Sequence, residues 1–166
     1  MIQRIQTIFL LLTALCMGLM FGFPVWEKIS LAQSQAVQVD AYQLTHYSFT
    51  GTDVSVQTEV LSTSSLWYIS VLAGLSVVVA LFAIFKYRNR LIQMKLGALN
   101  ALLIGGTLIA CTIATFQGDK MITDAEGEGH YMTGFWLPAV ALVFNLLANR
   151  FIRRDELLVR SADRFR

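Results

Sequence analysis

Four long stretches of this sequence contain no Asp, Glu, Lys, Arg or His, and they limit what the chain can fold into. They cover residues 5–26, 60–85, 96–117 and 131–149. An α-helix rises about 1.5 Å per residue, so about 20 apolar residues cross the roughly 30 Å hydrocarbon core of a bilayer. Charged residues make up only 14% of the chain, against about 25% in soluble domains. Each stretch therefore predicts a transmembrane helix.

These lengths predict a single membrane domain over residues 1–166, with an all-α fold built as a four-helix transmembrane bundle. The expected spans cover about residues 5–25, 65–86, 95–116 and 134–152.

The basic residues indicate how this bundle is oriented. Of the 13 Lys and Arg, all but Lys28 and Lys120 lie at the termini or between the second and third spans. Cytoplasmic segments of membrane proteins carry the excess of Lys and Arg. We therefore expect a multi-pass protein of the inner membrane with both termini in the cytoplasm.

The segment between the first two spans has a different pattern. Apolar and polar residues alternate around Val37, Val39, Leu44 and Phe49, and the letters TGTD at residues 50–53 are typical of a turn. Period-two alternation with β-branched and aromatic residues predicts strands. We expect a small extracytoplasmic antiparallel β-sheet, a periplasmic insertion over about residues 27–62, between helices 1 and 2.

Small and amide side chains recur at helical spacing within the spans, where they let membrane helices approach closely and hydrogen-bond to each other. The residues expected to mediate helix packing are Gly18, Gly22, Gly97, Ala101, Gly105, Gly106, Asn100, Asn145 and Asn149. For the small residues, an interface with another copy or a partner is the alternative to packing within the chain. For the amides, the alternative is a permeation path.

The outer loop between the third and fourth spans contains the one arrangement that suggests metal chemistry. Its carboxylates and histidine would project from the same side of an extended chain, and they are Asp124, Glu126, Glu128 and His130. Divalent cations accept such ligands. Acidic loops rich in glycine are ordinarily just solvated, so we predict no metal site and no cofactor.

The absence of ionisable residues from the four stretches weighs against several functions. Pumps and proton-coupled carriers place charged or titratable side chains inside the membrane. The sequence also contains no nucleophile-elbow, zincin, P-loop or dinucleotide-binding spacing. We therefore predict no catalytic residues.

The chain ends in RRDELLVRSADRFR, residues 153–166, where Leu158, Ala162 and Phe165 follow an i, i+4, i+7 pattern. This pattern predicts a short amphipathic helix at the cytoplasmic surface, whose arginines contact lipid headgroups or a protein partner. The charged residues expected to make these contacts are Arg153, Arg154, Asp155, Glu156, Arg160, Asp163 and Arg164.

Both ends of the chain, MIQRIQTIFLLL at residues 1–12 and RRDELLVRSADRFR, closely resemble an uncharacterised family of small inner-membrane proteins of Bacteroidota, domain of unknown function family 4293. The resemblance covers the whole chain. It implies a four-span protein of the bacterial inner membrane, with no assigned activity, cofactor or catalytic residue.

The expected function is that of a non-enzymatic structural or accessory subunit of an inner-membrane protein assembly. Its expected partners are membrane lipids and other inner-membrane subunits, with no nucleic acid and no identified small-molecule substrate. One alternative is a small transporter or channel with a path lined by Asn and Thr. A second alternative is a membrane enzyme with a metal at the acidic outer loop.

Overall fold

The computed structural model describes residues 2–49, 57–87, 89–122 and 128–163. The four helices are α1 (Ile2–Leu19), α2 (Trp67–Phe85), α3 (Arg90–Asp119) and α4 (Thr133–Asp163). The five strands are β1 (Trp26–Ser30), β2 (Gln35–Val39), β3 (Gln43–Phe49), β4 (Gln57–Ser65) and β5 (Gly129–Tyr131). A short 3-10 turn, Met20–Gly22, extends α1.

All four helices are long and apolar enough to cross a membrane. The qualifying segments are Ile5–Gly22, Trp67–Phe85, Arg90–Asp119 and Thr133–Leu158. Their outward faces are apolar, with Phe85 77% and Leu102 74% exposed, whereas the polar side chains of Asn100 and Asn145 are buried. A hydrocarbon environment favours apolar surfaces outside and satisfied polar groups inside. The fold is thus consistent with a membrane protein.

The helices pack as neighbours around a closed circuit: α1 and α3 each pack against both α2 and α4. The strands form one antiparallel sheet in the order β4-β3-β2-β1-β5. This sheet covers one end of the helices, where β1 and β2 contact α3.

The predicted fold class is wrong in two respects. The chain is not all-α, because a five-stranded sheet accompanies the four helices. The sheet is also not confined between the first two helices, because β5 comes from the outer loop between α3 and α4. It pairs with β1 through Trp26↔Tyr131, Glu27↔His130 and Lys28↔Gly129. Three residues without alternating hydrophobicity carry no strand signal of their own, so only their distant partner makes them a strand.

The connection from α1 into β1 also holds the beginning of α4. Pro24 ends the helical region because proline disfavours helical conformation in the residue before it. The amide of Gly134 then donates to the carbonyl of Pro24 at 2.9 Å, and Met132 donates to Val25 at 3.0 Å. A Cβ on Gly134 would lie only 2.5 Å from the carbonyl oxygens of Phe23 and Pro24, so this crossing requires glycine.

The sheet and the helices share a core centred on Trp26. Its ring is buried between Gly118, at the end of α3, and Gly129 of β5, and a Cβ on either glycine would collide with it. Val37, Val39 and Leu44 from the sheet join the same buried cluster as Met17, Met20, Ile104 and Cys111 from the helices. The sheet is therefore packed onto the helical part rather than appended to it.

Two predicted features fall at the edge of what is described. The TGTD turn at residues 50–53, with the rest of the β3–β4 connection, lies outside the described residues. At the other end of the chain, α4 runs past Arg153 to Asp163 without a break. The first part of the predicted tail is thus helical and continuous with the fourth span.

Candidate functional site

A chain of buried polar side chains links α2, α3 and α4 within the apolar interior. The Ser76 hydroxyl donates to Asn100 Oδ1 at 2.8 Å, and Asn100 Nδ2 donates to Asn145 Oδ1 at 3.3 Å. Asn145 Nδ2 completes the chain by donating to the backbone carbonyl of Gly97 at 2.9 Å. Each contact joins two different helices, so the polar chain fixes the register between them.

Asn149 lies one turn beyond Asn145, and its amide packs directly against Gly97 of α3. A Cβ on Gly97 would collide with the Asn149 amide group. The Oδ1 atom of Asn149 is buried and has no hydrogen-bond partner among the described residues. The absence of a side chain at Gly97 therefore allows α3 and α4 to pack closely at this point.

The other predicted packing residues occupy more open positions. Gly18 and Gly22 lie on the exposed side of the first span, and no atom lies within 4 Å of where their Cβ atoms would be. Gly105 is equally open, Gly106 is 3.9 Å from Leu72, and Ala101 is half-buried. Any close approach permitted by Gly18 and Gly22 would be to another molecule, which is the alternative set out above.

At the end of α3 that lies far from the sheet, Arg90 joins α3 to α4. Its Nη1 donates to the backbone carbonyl of Asp155 at 2.9 Å, and its Nη2 lies 3.1 Å from Asp155 Oδ2. The second contact is an ion pair without hydrogen-bond geometry. We call this part of the molecule the basic end, because the arginines at residues 150, 153 and 154 follow on α4.

A cavity of about 330 Å³ lies at the basic end, between α3 and α4. Its lining residues are Met94, Asn149, Arg150 and Arg153. Among the described residues, the polar groups that line it are guanidinium and amide groups, which donate hydrogen bonds, and none is a carboxylate. Such an arrangement can bind an anion but supplies no nucleophile or general base.

The predicted tail residues separate into several environments. Arg153 and Arg154 are exposed, Asp155 binds Arg90, and Glu156 is half-buried. The backbones of Arg160 and Asp163 are helical, while their side chains and Arg164 lie outside the described part. Of the tail residues whose side chains are described, Arg153 alone lines the cavity.

An ionic contact that no sequence pattern predicted joins the sheet to α3. Lys28 of β1 extends to the last turn of α3, where its Nζ lies 2.7 Å from Asp119 Oδ1. The same ammonium donates to the carbonyl of Ile122 at 3.1 Å and reaches that of Asp119 at 3.5 Å. It satisfies carbonyl groups that a helix end leaves unpaired. The usable signal was that Lys28 is one of two basic residues among the acidic residues of the predicted outer surface.

Three titratable side chains of the sheet have shifted pKa values. Burial, reinforced by the neighbouring Glu27 carboxylate, raises the pKa of Tyr47 to about 12. The Tyr47 hydroxyl donates to Glu27 Oε1 at 3.3 Å. Burial raises the pKa of Asp40, although a hydrogen bond from Gln38 opposes this shift. Burial lowers the pKa of His46, whose Nε2 lies 3.1 Å from Gln35 Oε1.

Of the four residues of the acidic outer loop that were considered as metal ligands, two, Glu128 and His130, lie within the described part of the chain. Asp124 and Glu126 lie outside the described residues. His130 is exposed in β5, and Glu128 precedes that strand. Within the described ranges, no three His, Cys, Asp or Glu side chains are grouped so as to hold a metal ion.

A comparison with known protein families assigns this chain to one of them. The family model described as Domain of unknown function (DUF4293) matches residues 2–165. The chain belongs to this family. The match to DUF4293 includes all four helices and all five described strands, and its description names no activity. No curated protein matches the chain.

Proposed function

We propose that this chain is a non-enzymatic accessory subunit of a bacterial inner-membrane protein assembly, and that it binds its partner along the free edge of β4. The observation that carries the proposal is the exposure of this strand. From Glu59 to Ser65 every residue is exposed, and β4 lies at the end of the sheet order.

An exposed edge strand is a template for another strand, because its outward backbone N–H and C=O groups have no partner. β4 contains neither Lys nor Pro, two residues that protect natural edges. Val60 and Leu61 add apolar surface, at 54% and 45% exposed. Bulges interrupt the pairing with β3 at two places, which leaves residues 62–65 as the regular stretch.

The position of that stretch supports a partner that is itself at the membrane. Residues 62–65 lead directly into α2, which begins at Trp67. Tryptophan at the end of a span favours the headgroup zone. An extended segment pairing with residues 62–65 would therefore lie at the membrane surface, as a neighbouring membrane subunit can.

The helix interior supports a structural role over transport. Asn100 Nδ2 donates to Asn145 Oδ1 and Asn145 Nδ2 donates to the carbonyl of Gly97, so these amide groups are engaged within the protein. The basic residues support an orientation with both termini in the cytoplasm. The resemblance described above supports the bacterial inner membrane.

Site-specific photo-crosslinking in intact membranes tests this proposal. A photoreactive residue at Thr63, on the β4 edge, should give a discrete adduct whose second component is a membrane protein. The matched control is Leu31, which is also exposed but lies in the β1–β2 turn. Adducts of equal yield at both positions, or none at Thr63, would overturn the proposed docking edge.

A further inference from the structure

The cavity at the basic end has the dimensions and the donors of a ligand site. Its volume of about 330 Å³ falls within the usual range for small-molecule sites, roughly 300 to 1,000 Å³. It lies in the seam between α3, which contributes Met94, and α4, which contributes Asn149, Arg150 and Arg153.

The two arginines of the cavity differ from Arg90 in their partners. Arg90 is held by Asp155, whereas Arg150 and Arg153 form no ion pair with any carboxylate whose side chain is described. They lie three residues apart on α4, so their side chains leave the same helix face. Guanidinium groups match the oxygens of phosphate in a two-pronged geometry. The unmatched charge at this seam is therefore suited to a phosphate.

Asn149 adds a third group to the cavity. Asn149 lines the cavity while its amide group packs against Gly97, and its Nδ2 is a hydrogen-bond donor. No hydrogen-bond partner of that nitrogen occurs among the described residues. A neutral N–H donor that lines the same cavity as two guanidinium groups adds to a set that favours an anion with several acceptor oxygens.

The surroundings of the cavity favour an anion attached to a lipid. Arg150 lies about 21 Å along the helix axis from Trp136, about two thirds of a hydrocarbon core of roughly 30 Å, so with Trp136 at one boundary the long Arg150 side chain can extend to the opposite headgroup zone. One turn further into the membrane, Leu146 of the same helix face is 54% exposed. Acyl chains would contact this apolar face while the phosphate remained at the depth of the arginines.

We propose that this cavity is a binding site for the phosphate of an anionic phospholipid. Arg150 and Arg153 bind its phosphodiester oxygens, Asn149 donates a further hydrogen bond, and an acyl chain follows the exposed face of α4 at Leu146. The proposal is independent of the β4 docking edge.

Native mass spectrometry of the full chain in detergent tests the site, with phosphatidylglycerol and phosphatidylcholine of identical acyl chains as probes. We expect phosphatidylglycerol to bind more tightly, and Arg150→Gln with Arg153→Gln to weaken it at least about tenfold, since two charge-assisted contacts are lost. The matched control is Arg154→Gln, an exposed neighbour outside the cavity. Equal losses in the control and the double variant would overturn the proposal in favour of diffuse charge attraction.

A second variant changes the space in the cavity without changing its charge. It also covers the case in which the double variant does not fold. Met94→Trp places a larger, rigid side chain in the cavity and leaves every arginine in place. It should weaken phosphatidylglycerol binding as strongly as the double variant does. Full retention of binding would show that the lipid does not enter the cavity.

Inorganic phosphate distinguishes a lipid from a soluble ligand. The full chain in phosphatidylcholine nanodiscs is heated with and without sodium phosphate, and separately in nanodiscs that contain phosphatidylglycerol. We expect the melting temperature to rise only with phosphatidylglycerol. A rise of the same size with inorganic phosphate, lost in Met94→Trp, would replace the lipid with a free phosphate and overturn the lipid assignment.

Discussion

The two ends of α3 are both tied down by an ion pair, but they are built differently. At the sheet end, the Lys28 side chain is 7% exposed and its ammonium contacts Asp119 together with carbonyl groups at the end of the helix. At the basic end, Arg90 binds Asp155 beside a cavity where Arg150 and Arg153 have no carboxylate partner among the described side chains. The same helix thus ends once in a closed junction and once beside unmatched positive charge.

This difference indicates what each end does. A buried cation that satisfies helix carbonyls stabilises one arrangement, because any movement exposes unpaired groups. Exposed arginines beside a cavity contribute little to stability and remain able to bind an anion. We therefore expect mutations at the sheet end to reduce stability, and those at the cavity to reduce lipid binding.

The largest expected effect is at the sheet end, where the two partners of the ion pair should not be equivalent. Asp119→Ala leaves the buried Lys28 ammonium without its anion and should cost about 3 kcal/mol of unfolding free energy. Lys28→Met keeps the apolar stem and leaves Asp119, which is 56% exposed, in water. It should cost about 1.5 kcal/mol, as for lost hydrogen bonds to a charged group.

Reversible unfolding in mixed micelles would measure both changes. The double variant should resemble Lys28→Met alone, because Asp119 has no buried charge left to neutralise. Equal costs for the two single variants would show that burial of Lys28 does not govern this junction.

The second expected effect tests how tightly α3 and α4 pack just inside the basic end. Gly97→Ala places a methyl group into the Asn149 amide and should cost about 2 kcal/mol through overpacking. Asn149→Ala in the same chain should restore most of that loss. Gly105→Ala is the control, because its Cβ meets nothing within 4 Å and alanine favours a helix. Destabilisation of similar size at both glycines would mean that helix packing here does not depend on the Gly97 contact.

The parts of this fold that could be predicted are those with a local cause. Four charge-free stretches predicted four membrane-spanning helices, and four helices of sufficient length and apolarity are present. Alternating apolar and polar residues between the first two spans predicted strands, because a period of two can be recognised from the sequence alone. Asn100 and Asn145 were expected among the residues that mediate helix packing, and Asn100 Nδ2 lies 3.3 Å from Asn145 Oδ1.

The rest depends on contacts between distant residues. β5 exists because β1 offers an edge, and Lys28 meets Asp119 across 91 residues of sequence. The cavity also needed the structure, because Met94 and Arg150 belong to different helices and their common seam depends on the rotation of each. A single sequence gives the apolar and polar faces of a helix but not which neighbour each face meets.

At the basic end, loss of the Arg90 ion pair should lower the free energy of unfolding by less than the changes described above. Arg90→Gln loses the ion pair with Asp155 but keeps a donor for the Asp155 carbonyl. Both side chains are partly exposed, so the expected cost is about 1 kcal/mol or less. Phosphatidylglycerol binding should be unaffected, because Arg90 does not line the cavity. A loss of lipid binding with unchanged stability would instead make Arg90 part of the lipid site.

The smallest expected effect sharpens the comparison through pH, because the sheet contains the partly buried His46. Burial lowers the folded-state pKa of His46, so the unfolded chain, with a value of about 6.5, takes up a proton first as the pH falls. The His46 contribution is therefore fully present above pH 7 and is lost progressively below about 6.5. Asp40 opposes this trend only in more acidic solution, because burial raises its pKa and the folded chain is then protonated first.

Melting temperatures measured from pH 7.5 to 5.5 should fall in the wild type and stay flatter in His46→Gln. His130→Gln, at an exposed position of β5, should follow the wild type. A parallel decline in all three chains would place the acid sensitivity outside the His46 site and leave the sheet end no more responsive to pH than the basic end.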